Sequence, residues 1–264
     1  MLLCSLFLFA GRVQAVSEPT SVTHAESIDL ACKEAVASEE AFRHFRRSWF
    51  CLRMIDTCQK SQGWQFLYFI SHHYPHLLNH LDQFRENDLI GNPLIESFDQ
   101  FGFFCPSTLR YMKIAGDLEA LFGDLNGKTV VEIGGGYGGQ CRILSTLFSF
   151  KEYILVDLPE VLELAKKCLE KWGVKNVRYV TPDQIPLAKT YDLLISNYAF
   201  SECSYKTQVE YTEKLLKHSK SGYMICNDFG YFRKQTFKEY FPAMNFQFTP
   251  EIPQTGSSNY VISW

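Results

Sequence analysis

Five glycines fill six positions, 134 to 139, of VVEIGGGYGGQ, and a lone acid, Glu132, stands in the apolar run before them. Gly134, Gly136 and Gly139 satisfy G-x-G-x-x-G, while Gly134, Gly136 and Gly138 satisfy the looser G-x-G-x-G. Both patterns call for a turn with positive φ and a backbone that a ligand can approach closely. A pyrophosphate gains nothing from a carboxylate two residues before the first glycine. A ligand carrying an ammonium group and a sulfonium does. Asp157 ends the next apolar run, EYILVD. A carboxylate there can accept both hydroxyls of a ribose, or cap the helix expected from Pro159, or do both. Asp183, after a third run, could meet an adenine edge or make a simple polar turn.

A second group lies further along. In YDLLISNYAFSE, Asn197 and Tyr198 leave a strand at the level of the glycine turn, and Tyr198 offers a π face to a cation. Phe200 reads equally as packing under a helix. Glu202, and Asp228 in GYMICND, are the candidate bases for taking a proton from a hydroxyl. Asn227 with Asp228 offers oxygen ligands that would suit magnesium, but two residues do not define a metal site. His72, His73 and His76 are expected on a surface or in a core, with a place over the sheet edge as the alternative.

The elements that must position these groups fall into two textures. From Ser27 to Leu125, apolar residues recur at three- and four-residue spacing, predicting helices over 27–50, 64–84 and 107–125. A loop is expected over 90–107, with Ser107 or Thr108 capping the helix that begins at Pro106. Beyond Gly127, strands alternate with helices. TVVEIG, EYILVD, NVRYV, YDLLISN and SGYMICND predict five strands, followed by a short helix over 233–241 and two closing strands, NFQFTPEI and NYVISW. Apolar strands alternating with helices imply a parallel sheet covered on both faces. Right-handed crossovers then bring every strand's C-terminal end to one edge, where open α/β sheets bind ligands. The glycine run, Asp157, Asp183, Asn197 and Asp228 should all stand on that edge.

Composition narrows the partners. The chain has 264 residues, 46% hydrophobic and 21% charged, with a formal net charge of −3. That gives no reason to expect binding to nucleic acid or to an anionic membrane. A local basic patch, AFRHFRRSW at 41–49, reads as a solvated helix face. The nine cysteines are scattered without zinc-like spacing and read as reduced thiols. Leu2 to Ala10 is apolar and Val13-Gln14-Ala15 resembles a cleavage site, yet the basic n-region of a secretory signal is missing. The run is too short for stable membrane insertion. Residues 1–15 are therefore either a signal segment or an apolar tail, and the ligand chemistry favours the cytoplasm.

VVEIGGGYGG, YILVDLPEVLELA, YDLLISNYAFSE and GYMICND together resemble the sugar O-methyltransferase family, class I enzymes that use S-adenosylmethionine. GNP at 91–93 and STLRYMKIAGDLEALFG at 107–123 are similar to the segment that leads into that family's glycine motif. The resemblance spans roughly residues 85 to 264. It implies an α/β, Rossmann-like, mostly parallel sheet ending in a reversed hairpin. It also implies S-adenosylmethionine bound by Glu132, Gly134, Gly136, Gly138 and Asp157; the strand-end positions of Asp183, Asn197 and Tyr198 make them further candidates for binding it. The expected organisation is an N-terminal tail over 1–24, a helical cap over 25–125 and the cofactor-binding domain over 126–264. The expected reaction is methyl transfer to a hydroxyl of a sugar or another small hydroxylated acceptor. Two alternatives stay open, an NAD(P)-dependent oxidoreductase and an inactive binding protein on the same fold. The acceptor, metal dependence and self-association are left open.

Overall fold

The computed structural model describes residues 21–187, 189–227, 237 and 245–264. Residues 1–15, Asp228 and the predicted helix over 233–241, Phe237 excepted, lie outside the described residues. The N-terminal half is helical, but more broken than the periodicity predicts. The first stretch divides into α1 (Ser21–Ala37), α2 (Glu39–His44) and a π-turn over Cys51–Ile55. The break is at Ser38, whose backbone is extended and whose hydroxyl accepts from the Ala41 N–H. The second stretch divides into α3 (Lys60–His73), a 3-10 turn over Pro75–His80 and α4 (Leu81–Arg85). Pro75 has no N–H to continue α3 and instead opens the next turn.

The expected loop over 90–107 contains a small antiparallel ladder, β1 (Glu96–Ser97) with β2 (Phe103–Phe104). Strands of two residues are too short to leave a periodicity. Next comes α5 (Pro106–Phe122), which starts at Pro106 as predicted. Neither Ser107 nor Thr108 caps it. The Asp88 carboxylate, arriving from the preceding helical segment, accepts from the Cys105 N–H at 2.8 Å and the Thr108 hydroxyl at 2.7 Å. The basic patch also differs from expectation. Arg46 is wholly buried and bidentate to Asp56 at 2.7 and 3.2 Å, with Asp88 at 3.3 Å and its guanidinium over the Tyr137 ring. Burial of that cation is bearable because it is paired and hydrogen-bonded, and its partners are too far away in sequence for the local pattern to reveal them.

The second half follows the predicted order closely. It runs β3 (Thr129–Ile133), α6 (Gly139–Leu147), β4 (Glu152–Val156), α7 (Pro159–Lys171), β5 (Val177–Val180), β6 (Tyr191–Asn197), α8 (Ala199–Glu202), α9 (Tyr205–Lys214), β7 (Ser219–Cys226), β8 (Gln247–Pro250) and β9 (Tyr260–Ser263). The strand order is β5-β4-β3-β6-β7-β9-β8, the first five parallel and the last two forming antiparallel pairs. Order reverses on either side of β3, so the switch point is the crevice between β3 and β6. After β7 the sheet closes with a reversed hairpin, not the further parallel strand of a second mononucleotide half.

Alternation along the strands assigns each side chain a face. Val130, Tyr153, Leu155, Leu193 and Ile195 join the larger core, which includes α5, α6, α7 and residues of the N-terminal helices. Val131, Ile133, Ile154, Leu194 and Met224 join the second core, with Tyr211 of α9. Glu132 lies between Val131 and Ile133, so it falls on the larger core's side.

Candidate functional site

The glycine turn joins β3 to α6 at the switch point. Gly134 has φ +75 and Gly136 φ +54, and both are partly exposed. A Cβ on Gly134 would overlap the Ala199 methyl at the start of α8, and one on Gly136 would sit 3.1 Å from Ile55 Cδ1. These two glycines therefore serve both the turn and a close approach. Gly138 works differently. It is buried at the N-cap of α6, where a Cβ would meet Leu169 at 2.9 Å, so it lets α6 approach α7.

Asp157 stands beside this turn at the end of β4. Its Oδ2 accepts from the Gly136 N–H at 3.1 Å and its Oδ1 from the Leu158 N–H at 2.8 Å. Burial pushes its pKa up to about 6, against the pull of those two N–H groups. Each oxygen keeps lone-pair capacity for a further donor. Glu132 lies beneath the turn, 1% exposed, and its Oε2 accepts from the Tyr153 hydroxyl at 2.8 Å. Burial raises it to about 7, with the Tyr153 bond opposing and the Asp157 charge adding. Glu132 thus presents its field to the turn from inside the core.

Across the crevice, Asn197 ends β6. Its Nδ2 donates to Gln140 Oε1 at 3.4 Å, while its buried Oδ1 has no partner. Tyr198 follows with φ +70, unusual for an aromatic residue. Its hydroxyl donates to Glu251 and lies 2.9 Å from Thr255 Oγ1, both in the segment joining β8 to β9. Glu202, at the end of α8, is exposed and accepts from Asn227 Nδ2 at 2.8 Å. Local desolvation raises its pKa, opposed by that bond and by the Arg110 charge.

The structure does not gather every predicted residue. Asp183 is exposed after β5, two strands from β3, and accepts from the Thr181 hydroxyl in its own turn. The three histidines lie elsewhere. His72 and His73 stack on Tyr68 and Phe69, and His76 pairs with Glu119 near the far end of α5. Among the described residues, no cluster of three or more His, Cys, Asp or Glu side chains could hold a metal. No described helix is long and apolar enough to cross a membrane. A cavity of about 350 Å³, lined by residues that include Gln83, Arg142, Trp172 and Asn176, lies at the opposite, N-terminal edge of the sheet.

Three neighbours of the site were not singled out from the sequence. Arg110 of α5 is 5% exposed, with its guanidinium 5.3 Å from the Tyr198 ring centroid. Gln140 bridges Asn197 to the Tyr111 carbonyl. Glu251, buried, accepts from Tyr198, Thr255 and Asn259. The only local signal was an arginine among apolar positions of STLRYM. The edge as a whole offers a carboxylate for paired hydroxyls, close backbone at two glycines, a free carbonyl acceptor and a buried cation.

The parallel strands, the β3/β6 crevice and the reversed β9-β8 hairpin define a Rossmann-like fold of the class I methyltransferase kind. No family model matches the chain. It is 35% identical over 72 residues to the protein-L-isoaspartate O-methyltransferase of Pyrococcus abyssi, covering 26% of this chain and 33% of that protein. The enzyme of the same name from Pyrococcus horikoshii is 33% identical over 72 residues, with the same coverage. The chain thus spans about a third of the length of these curated relatives. Among solved structures, a SAM dependent methyltransferase from Aquifex aeolicus superimposes with a TM-score of 0.44 at 20% identity, over 56% of this chain and 87% of that one.

Proposed function

We propose that the chain is an S-adenosylmethionine-dependent methyltransferase that transfers a methyl group to an oxygen of a small acceptor. A hydroxyl of a sugar or a related compound is the acceptor suggested by the motif resemblance. The observation that carries the reading is the meeting of the glycine turn, Asp157 and the unpartnered Asn197 Oδ1 across the β3/β6 crevice. The short match to two protein-L-isoaspartate O-methyltransferases supports the same chemistry.

When bound, S-adenosylmethionine supplies an electrophilic methyl carbon on a sulfonium. In this reading Asp157 accepts the ribose hydroxyls, and Gly134 and Gly136 let the ligand lie against the backbone. Glu132 favours its positive charge from below, and Asn197 Oδ1 accepts an N–H. Gly138 acts through the packing of α6 on α7, and Asp183 borders the adenine side. Tyr198 faces the acceptor, held by Glu251 and Thr255. Glu202, with Asp228 beyond the described residues, takes the acceptor's proton as it is held in line. Residues 25–125 act as a cap, since Ile55 already lies over Gly136. The antiparallel β9-β8 closure gives the nicotinamide alternative no support.

Calorimetric titration of the intact protein tests this reading. Micromolar-range binding of S-adenosylhomocysteine is expected, lost in Asp157→Ala, with none for NADH. Absence of S-adenosylhomocysteine binding to the unmodified protein refutes it.

A further inference from the structure

The cavity at the far edge of the sheet takes no part in the proposed methyl transfer, and none of its lining residues belongs to the β3/β6 crevice. α6 runs about 13 Å from the glycine turn to the end that borders this cavity. At about 350 Å³ it has room for a small molecule. The charge of its lining is one-sided. Arg142 of α6 and Lys175, in the turn after α7, are cationic, and none of the described residues lining it is acidic. Lys175 is exposed and has no carboxylate within 4 Å among the described residues.

Arg142 is 7% exposed and only partly satisfied. Its Nη1 donates to Thr146 Oγ1 and its Nη2 to the Gln83 carbonyl at 3.2 Å and Glu86 Oε2 at 2.7 Å, while the buried Nε has no partner. Nε and Nη2 form one edge of the guanidinium, the fork that a two-oxygen anion fills with parallel hydrogen bonds. Glu86 uses half of it. That side chain is 55% exposed, so the pair contributes little and can be exchanged for another anion. Gln83 and Thr146, which hold the guanidinium, both line the cavity, so the half-filled fork stands at its wall. Further along the lining, Ser149 and Asn176 are exposed. Asn176 Nδ2 donates to the Phe150 carbonyl at 3.1 Å, which leaves its Oδ1 to accept. The last turns of α6 and α7 leave backbone carbonyls at this end as well, and acceptors of that kind suit hydroxyl groups. Trp172 forms a fixed wall, its Nε1 donating to the Glu86 carbonyl at 3.1 Å.

We propose that this cavity is a second ligand site, which takes a small anion bearing hydroxyl groups, a phosphorylated or carboxylated polyol. The head group fills the Nε/Nη2 edge of Arg142 in place of Glu86, and Lys175 supplies a second positive charge. Hydroxyls of the body meet Asn176 Oδ1 and Ser149. Phosphate and carboxylate heads share this chemistry. The site calls for no cofactor, and its ligand binds whether or not the crevice is filled.

The test is calorimetric titration of the intact protein with glucose 6-phosphate, glucuronate and glucose. One anion or both should bind with a Kd below about 1 mM, at least about tenfold more tightly than glucose, in keeping with charge-assisted hydrogen bonds. The tighter of the two identifies the head group. Glu86→Gln should tighten anion binding by about two- to fivefold, because the competing carboxylate is gone. Lys175→Glu, at an exposed position, should weaken it by about three- to tenfold. Unchanged thermal unfolding reports that both variants are folded. Saturating S-adenosylhomocysteine should leave the anion affinities within about twofold. Absence of binding by both anions at millimolar concentration overturns the proposal, as does glucose binding as tightly as they do. Anion binding that either substitution leaves unaltered, or that S-adenosylhomocysteine displaces, lies elsewhere on the protein and also overturns it.

Discussion

Glu132→Gln should stabilise the protein at neutral and alkaline pH and leave it nearly unchanged in acid. The carboxyl is 1% exposed, and its pKa is lifted from 4.5 to about 7 in the folded chain. Between those values the unfolded chain has released a proton that the folded chain still binds, so stability falls as pH rises through that window. At about 1.36 kcal/mol per pH unit, the gap amounts to about 3 kcal/mol, fully lost above pH 7. Glutamine keeps an acceptor for the Tyr153 hydroxyl but does not titrate, so the variant lacks this slope. Thermal unfolding of both proteins from pH 4.5 to 8.5 measures the difference. The variant's advantage should grow across that range to roughly 6–12 °C, at about 2–4 °C per kcal/mol for a chain of this size. Asp157 is raised in both proteins and largely cancels in the comparison. A melting difference that does not change with pH, or one that shrinks as pH rises, refutes the reasoning.

Gly134→Ala should destabilise the protein by about 2–5 kcal/mol, combining a left-handed φ with an overlap at Ala199, as measured by urea unfolding. It should also abolish S-adenosylhomocysteine binding at temperatures where the variant is folded. Affinity for S-adenosylhomocysteine should fall as pH drops through about 6, because protonated Asp157 loses the acceptor capacity that ribose hydroxyls need. The decline should approach about tenfold per pH unit below that point, and calorimetry in the Glu132→Gln background separates it from the titration of Glu132.

The second half of the chain was legible because its signals are local. Strand runs, Pro159 opening α7 and Gly173 after it can each be read within a few residues, and the parallel edge then follows from chirality. The helical half was less legible, since its breaks depend on Ser38 and Pro75 and its caps on distant partners such as Asp88. Arg46 read as surface because Asp56 and Asp88, which neutralise it, are close only in space. At the site, spacing gave the residues on strand ends, Glu132, Asp157, Asn197 and Tyr198. It could not give Arg110, which reaches the edge from a helix before the first strand of the main sheet. Asp183 shows another limit: spacing places it after β5, but does not tell that β4 stands between that strand and β3.

The clamp on Tyr198 has a consequence for the order of assembly. Its hydroxyl is held by Glu251 and Thr255, and the Thr255 carbonyl in turn accepts from Gln62 of α3, a separation of 193 residues. The strands from β3 to β6 can pair while residues 251–259 are still being made, but the tyrosine cannot be locked until they arrive. Contacts of such long range are slow to form, because a large loop must close before they contribute. The Tyr198 side of the crevice is thus completed only after the glycine turn and Asp157 have met.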